Sequence, residues 1–230
     1  MSDPAVPTPA SAGFDTSAYP GDHSMSIWKS SSPYVFAGYY LTAPCHHSAS
    51  WMGQRAALVA MGWNLLPVYV GQQVAGVSPC KSSILTGDQG QTDGADAAAK
   101  MASEGFPAGS YAYLDIERTD HFPSGLSDYI TAWVSTIGGG DYVPGIYCHK
   151  FNATSVQTAV NAGLPDGVEA RYWIVGGVVS HFNIKTSKPT DVGVDFANIW
   201  QCPVSVTRAF GGVSINIDED IADRPDPAGA

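Results

Sequence analysis

Eight short apolar runs punctuate the chain, at residues 13–15, 34–40, 65–70, 110–117, 142–148, 171–175, 197–201 and 213–218. Several are rich in Tyr, Val, Ile and Phe, and Gly, Pro, Ser or Asp stand at many of their ends, the pattern of short strands. Segments of helical recurrence separate several of them. Residues 49–62 carry Trp51, Leu58 and Val59 ahead of Trp63, with Gly62 as a stop. Residues 92–104 are Ala-rich, with Thr92 or Asp93 as N-cap and Gly105 beyond the end. Residues 127–137 place Tyr129, Ile130, Trp133, Val134 and Ile137 on one stripe, read as core, and residues 154–162 form a further short helix. After the sixth run the helical signal fades into Gly-, Ser- and Thr-rich sequence. Strands alternating with helices imply parallel pairing. The expected architecture is a single-domain (β/α)8 TIM-like barrel whose helices are short or missing in the C-terminal third. An open doubly wound sheet is the alternative, but no Gly-rich nucleotide fingerprint is present.

The fourth run ends in Asp115-Ile116-Glu117. Residues i and i+2 of a strand share a face, so the two carboxylates project side by side where strand gives way to loop. Like charges held that close retain a proton toward neutral pH, as a general acid requires. The plainer reading is an Asp capping a turn and a solvated Glu. Other expected strand ends carry Asp15 and Asp218, with Tyr39, Tyr69, Gln73, Tyr147, Trp200, Gln201 and Asp220 around them. In a barrel these positions gather at one face. Carboxylates cleave glycosidic bonds, and aromatic faces stack on sugar rings.

Composition narrows the partners. The 230 residues are 44% hydrophobic and 14% charged, with a net charge of −10 and only 11 basic residues. That balance argues against a nucleic-acid partner. No apolar stretch approaches the roughly 20 residues that cross a bilayer. Residues 1–12 read as a flexible lead without the basic and apolar regions of an intact signal peptide, residues 13–222 as the barrel, and 223–230 as a flexible tail. Cys45, Cys80, Cys148 and Cys202 are widely spaced, which suits two disulfides in an exported protein. Of three connectivities, Cys45–Cys80 with Cys148–Cys202 is expected; four buried free thiols are the alternative. Cys45-His46-His47, His121 and His149 have no metal-motif spacing, and residues 87–94 read as a turn with an N-cap rather than a calcium loop, so no metal or other cofactor is expected. The chain is expected to act as a monomer.

Gly13-Phe14-Asp15, Pro67-Val68-Tyr69-Val70-Gly71-Gln72-Gln73, Tyr113-Leu114-Asp115-Ile116-Glu117, Pro144-Gly145-Ile146-Tyr147, Trp200-Gln201 and Ile217-Asp218 occur in one order. That order resembles a glycoside-hydrolase-like domain of secreted bacterial proteins, itself similar to the family-25 lysozymes, muramidases that cut peptidoglycan. The resemblance implies a secreted or wall-associated protein acting on a cell-wall glycan. It makes Glu117 the general acid and Asp115 its assistant, orienting an N-acetyl group or stabilising charge at the anomeric carbon. Asp15 and Asp218 would line the same pocket. A non-catalytic glycan-binding module that keeps the pocket is the alternative. The segment 72–73 and the loop 74–90 depart from the lysozyme pattern.

Overall fold

The computed structural model describes residues 10–77 and 83–229. Strands β1 (Ser11–Asp15), β2 (Phe36–Tyr40), β3 (Asn64–Val70), β4 (Tyr111–Ile116), β5 (Val143–His149), β6 (Arg171–Val175) and β7 (Ile199–Gln201) pair in sequence order, all parallel. The hairpin β8 (Val206–Phe210) and β9 (Val213–Ala222) follows. β9 runs antiparallel between β7 and β1 and closes the barrel. The TIM-like expectation therefore holds, with one reversal: the eighth barrel strand descends instead of rising. Asp15 lies opposite Asp218 and Ser11 opposite Ala222, so Asp218 stands at the top of the barrel although it is mid-strand.

Helices α1 (Asp22–Ser31), α2 (Arg55–Ala60), α3 (Gly87–Ser103), α4 (Ser124–Gly138) and α5 (Ala153–Gly163) cover the first five crossovers. Beyond β6 only two short 3-10 turns occur among the described residues, matching the faded helical signal. α3 starts earlier than its Ala-rich stretch indicates, with the Thr86 side chain accepting from Gln89 N–H as the cap. Residues 87–94, expected as a turn, are helical because their glycines are packing surfaces. A Cβ on Gly90 would meet the Tyr129 carbonyl at 2.2 Å, so only glycine lets α3 lie this close to α4.

Both expected flexible ends differ where they are described. Ser11 and Ala12 already belong to β1. Residues 223–229 close the bottom of the barrel: Ala228 C=O accepts from Tyr111 N–H, Pro227 C=O from the Tyr113 hydroxyl, and Pro225 C=O from the Asn64 amide. Arg171, buried under the tail, pairs with Asp223.

Cys148 and Cys202 are buried free thiols, correcting the expected bridge between them. β6 lies between β5 and β7. Two strand spacings, about 9.6 Å, exceed the span a disulfide allows. The expected partner of Cys45, Cys80, lies outside the described residues.

Candidate functional site

Alternation along the strands sends one set of side chains into the barrel mouth. On β1, Phe14 faces outward to Trp28, Tyr34 and Trp63, and Asp15 faces in. A Cβ on Gly38 of β2 would lie 2.6 Å from that of Asp15, so a glycine there leaves room for the carboxylate. The Asp15 carboxylate is held on both oxygens. Tyr40 hydroxyl donates to Oδ1 (2.6 Å) and Gln201 Nε2 to Oδ2 (2.6 Å), while Gln201 Oε1 accepts from Tyr147 hydroxyl (2.8 Å). One layer below, Asp220 is wholly buried; Trp173 Nε1 donates to its Oδ1 (2.8 Å), and its Oδ2 meets no donor. Asp218 accepts from Ser205 N–H, which a left-handed backbone (φ 54) turns toward it.

Asp115 and Glu117 rise from the end of β4 into the same mouth. Asp115 is 7% exposed and its Oδ1 has no hydrogen-bond partner. Burial, then the charges of Glu117 and Asp15, push its carboxyl well above the ordinary carboxylate range. Burial and the charge of Asp218 raise Glu117. Asp15 is pushed up to about 7 by burial and Asp218, against the lowering effect of its hydrogen bonds. Asp218 is raised by burial, and Asp220 by burial and the charge of Asp15. Five carboxyls thus share one region, and none forms an ion pair with a basic side chain among the described residues. The D-x-E coupling therefore extends across the barrel mouth to Asp15 and Asp218.

The other expected site residues separate into groups. Tyr147 and Gln201 sit in the cluster as supports for Asp15. Gln73 is buried beneath the acids, bonded to the backbone of Asp115 and Glu117 rather than open to a ligand. Asp220 lies under the floor. Tyr39, Tyr69 and Trp200 point away from the pocket, a correction that strand alternation explains. Tyr39 hydroxyl donates to Glu104, Tyr69 hydroxyl to Asp96 (2.8 Å) and Trp200 Nε1 to Gly176 C=O (2.7 Å). The inward residue on β2 is Tyr40, and on β7 it is Gln201. Tyr40, Trp173, Ser205 and the exposed Phe151, over which Arg118 stacks at 5.2 Å, are not among the expected site residues. Only Tyr40 and Trp173 carried a signal, the alternation within their strands.

An open cavity of about 170 Å³ lined by Asp15, Thr16, Ser17, Tyr40, Ser205 and Asp218 lies on one side of the acids. Another, about 270 Å³, is lined by 74–77 and 118–121, directly after Glu117. Cavities of about 200 and 420 Å³ lie beside the C-terminal tail and against the Arg208–Glu219 pair; none of the five acids lines them. Among the described residues no three His, Cys, Asp or Glu side chains are placed to ligate a metal ion.

The fold recurs in solved structures. An uncharacterized B. stearothermophilus protein aligns over 93% of this chain and 96% of its own at 20% identity (TM-score 0.62). The Clostridium perfringens spore cortex lytic enzyme SleM aligns over 96% and 69% at 11% identity (TM-score 0.65). The Mycobacterium tuberculosis Tat-secreted protein Rv2525c, solved with L-tartrate, aligns over 96% and 98% at 18% identity (TM-score 0.59). No curated protein sequence matches. Residues 26–222 match the model of the Rv2525c-like, glycoside hydrolase-like domain, and the chain belongs to that family.

Proposed function

We propose that the barrel mouth hydrolyses a glycosidic bond in a cell-wall glycan, with peptidoglycan the first candidate, and that the protein works outside the cell. The observation that carries this is the convergence of Asp15, Asp115, Glu117 and Asp218, none of them ion-paired with a basic side chain among the described residues. A glycosidic transition state develops positive charge at the anomeric carbon. No basic side chain among the described residues supplies the cluster with a counter-ion, so the cluster favours that charged transition state over the neutral sugar.

Glu117, half-buried and raised, supplies the proton to the leaving oxygen. Asp115 sits deeper, and burial with the charges of Glu117 and Asp15 favours its protonated form. As the ring acquires charge, the partial negative charge on the Asp115 carboxyl oxygens stabilises the cation, or Asp115 orients an N-acetyl group. Asp218 favours the protonated form of Glu117, and Asp15 and Asp218 bind hydroxyls. The exposed Phe151, with Arg118 stacked on it just past Glu117, offers a face for a neighbouring sugar. The similarity in fold to SleM, a spore cortex lytic enzyme, agrees with a wall glycan. No helix among the described residues is long and apolar enough to cross a membrane.

Incubation with purified peptidoglycan tests the reading. Wild-type protein should release reducing ends, and Glu117→Gln should slow release by about 10³-fold while leaving glycan affinity within a few-fold. Equal release by both proteins would remove Glu117 from its role. Retained affinity with no products from either would assign a glycan-binding module instead.

A further inference from the structure

The top of the β3–β4 ladder is built in an unusual way. Val70 pairs with Asp115, and Gly71 N–H donates to Asp115 C=O at 3.3 Å. In a regular parallel pair the next rung joins Glu117 N–H to Gly71 C=O. Here Glu117 N–H donates instead to Oε1 of Gln73 at 2.9 Å. Nε2 of the same carboxamide donates to Gly71 C=O (3.2 Å) and to Asp115 C=O (2.9 Å). A side-chain amide, with the donor and acceptor of a peptide group, has been inserted into the rung. It holds the two strand ends apart by its own width at the point where the acids stand.

We propose that Gln73 is the positioning residue of the Asp115–Glu117 pair, its carboxamide spacing the end of β4 from β3 and so fixing where the Glu117 carboxyl stands relative to Asp115 and Asp218. The proposal deepens the glycosidase reading and takes its functional meaning from it. Gln73 is 1% exposed, so it acts through the backbone of the two acids and not by touching glycan. Its own turn is anchored from behind. Gln72 N–H donates to the Tyr129 hydroxyl (3.1 Å), which donates to Asp93 (2.8 Å), and Gln72 Oε1 accepts from Ile84 N–H (3.3 Å). The inserted amide is therefore tied to α3 and α4 and does not slide along the ladder.

Carboxyl 13C NMR of Glu-labelled protein tests this without any substrate, because the chain has only four glutamates, Glu104, Glu117, Glu169 and Glu219. Gln73→Met keeps the length and apolar volume but removes the donor and the acceptor. Its Glu117 resonance should titrate about one pH unit lower than in wild type, as the freed carboxyl turns toward water and away from Asp218. Gln73→Asn, one methylene shorter, should shift Glu117 the same way by less. An unchanged Glu117 midpoint in a folded variant would overturn the proposal. So would failure of both variants to fold, which would assign Gln73 to stability alone. If wild type cleaves glycan, Gln73→Met should lower kcat by about 10²-fold with KM within about two-fold. A raised KM at unchanged kcat would contradict it. The titration needs no glycan, so it stands or falls separately from the hydrolase reading.

Discussion

Both ends of this barrel bury charge, and they do so by opposite rules. At the bottom Arg171, 4% exposed, meets the Asp223 carboxylate and lies 5.6 Å over the Tyr111 ring, while the tail's carbonyls take up the polar groups around it. At the top Asp15, Asp115 and Asp220 are each under 10% exposed, and their charged neighbours among the described residues are other acids. Opposite charges at the bottom answer one another. Like charges at the top are answered, among the described residues, by protons and a few neutral donors. The bottom is organised to hold the fold, and the top is held in a state that a cationic transition state would relieve.

Substitutions at the two ends should therefore have opposite signs. Arg171→Met removes the buried partner of the part-exposed Asp223 and should destabilise the protein by about 2 kcal/mol in chemical denaturation. A loss below about 1 kcal/mol would mean that the tail and not the ion pair closes the bottom. Asp115→Asn should stabilise the fold at pH 7 by about 1–2 kcal/mol, since its amide can donate to the neighbouring carboxylates without having to hold a proton. It should also abolish any glycan release. A lower melting temperature for this variant would erase the contrast between the ends.

The contrast also has a pH signature. A carboxyl raised on folding binds more protons in the native than in the unfolded chain, so its contribution is complete at acid pH and is lost as pH rises. For Asp15 that loss spans its ordinary value of 3.8 to about 7. Asp15→Asn should flatten the decline across that window, checked by urea midpoints from pH 4 to 8. The smallest effect is expected for Tyr40→Phe. It deletes one donor to the Asp15 carboxylate and should raise the Asp15 midpoint by about half a pH unit.

Much of this was legible in the sequence, for identifiable reasons. The alternation of apolar runs with helical stripes gave the barrel, and the fading of those stripes marked where helices stop. Asp115 and Glu117 were readable because two acids at strand spacing share a face whatever the register of the rest. Tyr39, Tyr69 and Trp200 depart from the expectation because a strand's inward face depends on a register of one residue. On β2 and β7, Tyr40 and Gln201 occupy the inward positions. Asp218 was placed at the correct end although its strand is reversed, which no local pattern records. The early start of α3 was hidden because glycines that serve close helix packing look like turn residues. Gln73 was visible as a polar strand-end residue. Its role in the ladder depends on a rung between strands, which sequence does not display.

The central claim is that the barrel mouth keeps like-charged carboxyls together and so retains a proton near neutral pH. Carboxyl 13C NMR of Asp-labelled wild-type protein beside Asp15→Asn tests it most directly. A resonance titrating near pH 7 in the wild type and absent from the variant is the predicted result. If every aspartate titrated in the ordinary carboxylate range, the acids would be independently solvated and the account of the site would be contradicted.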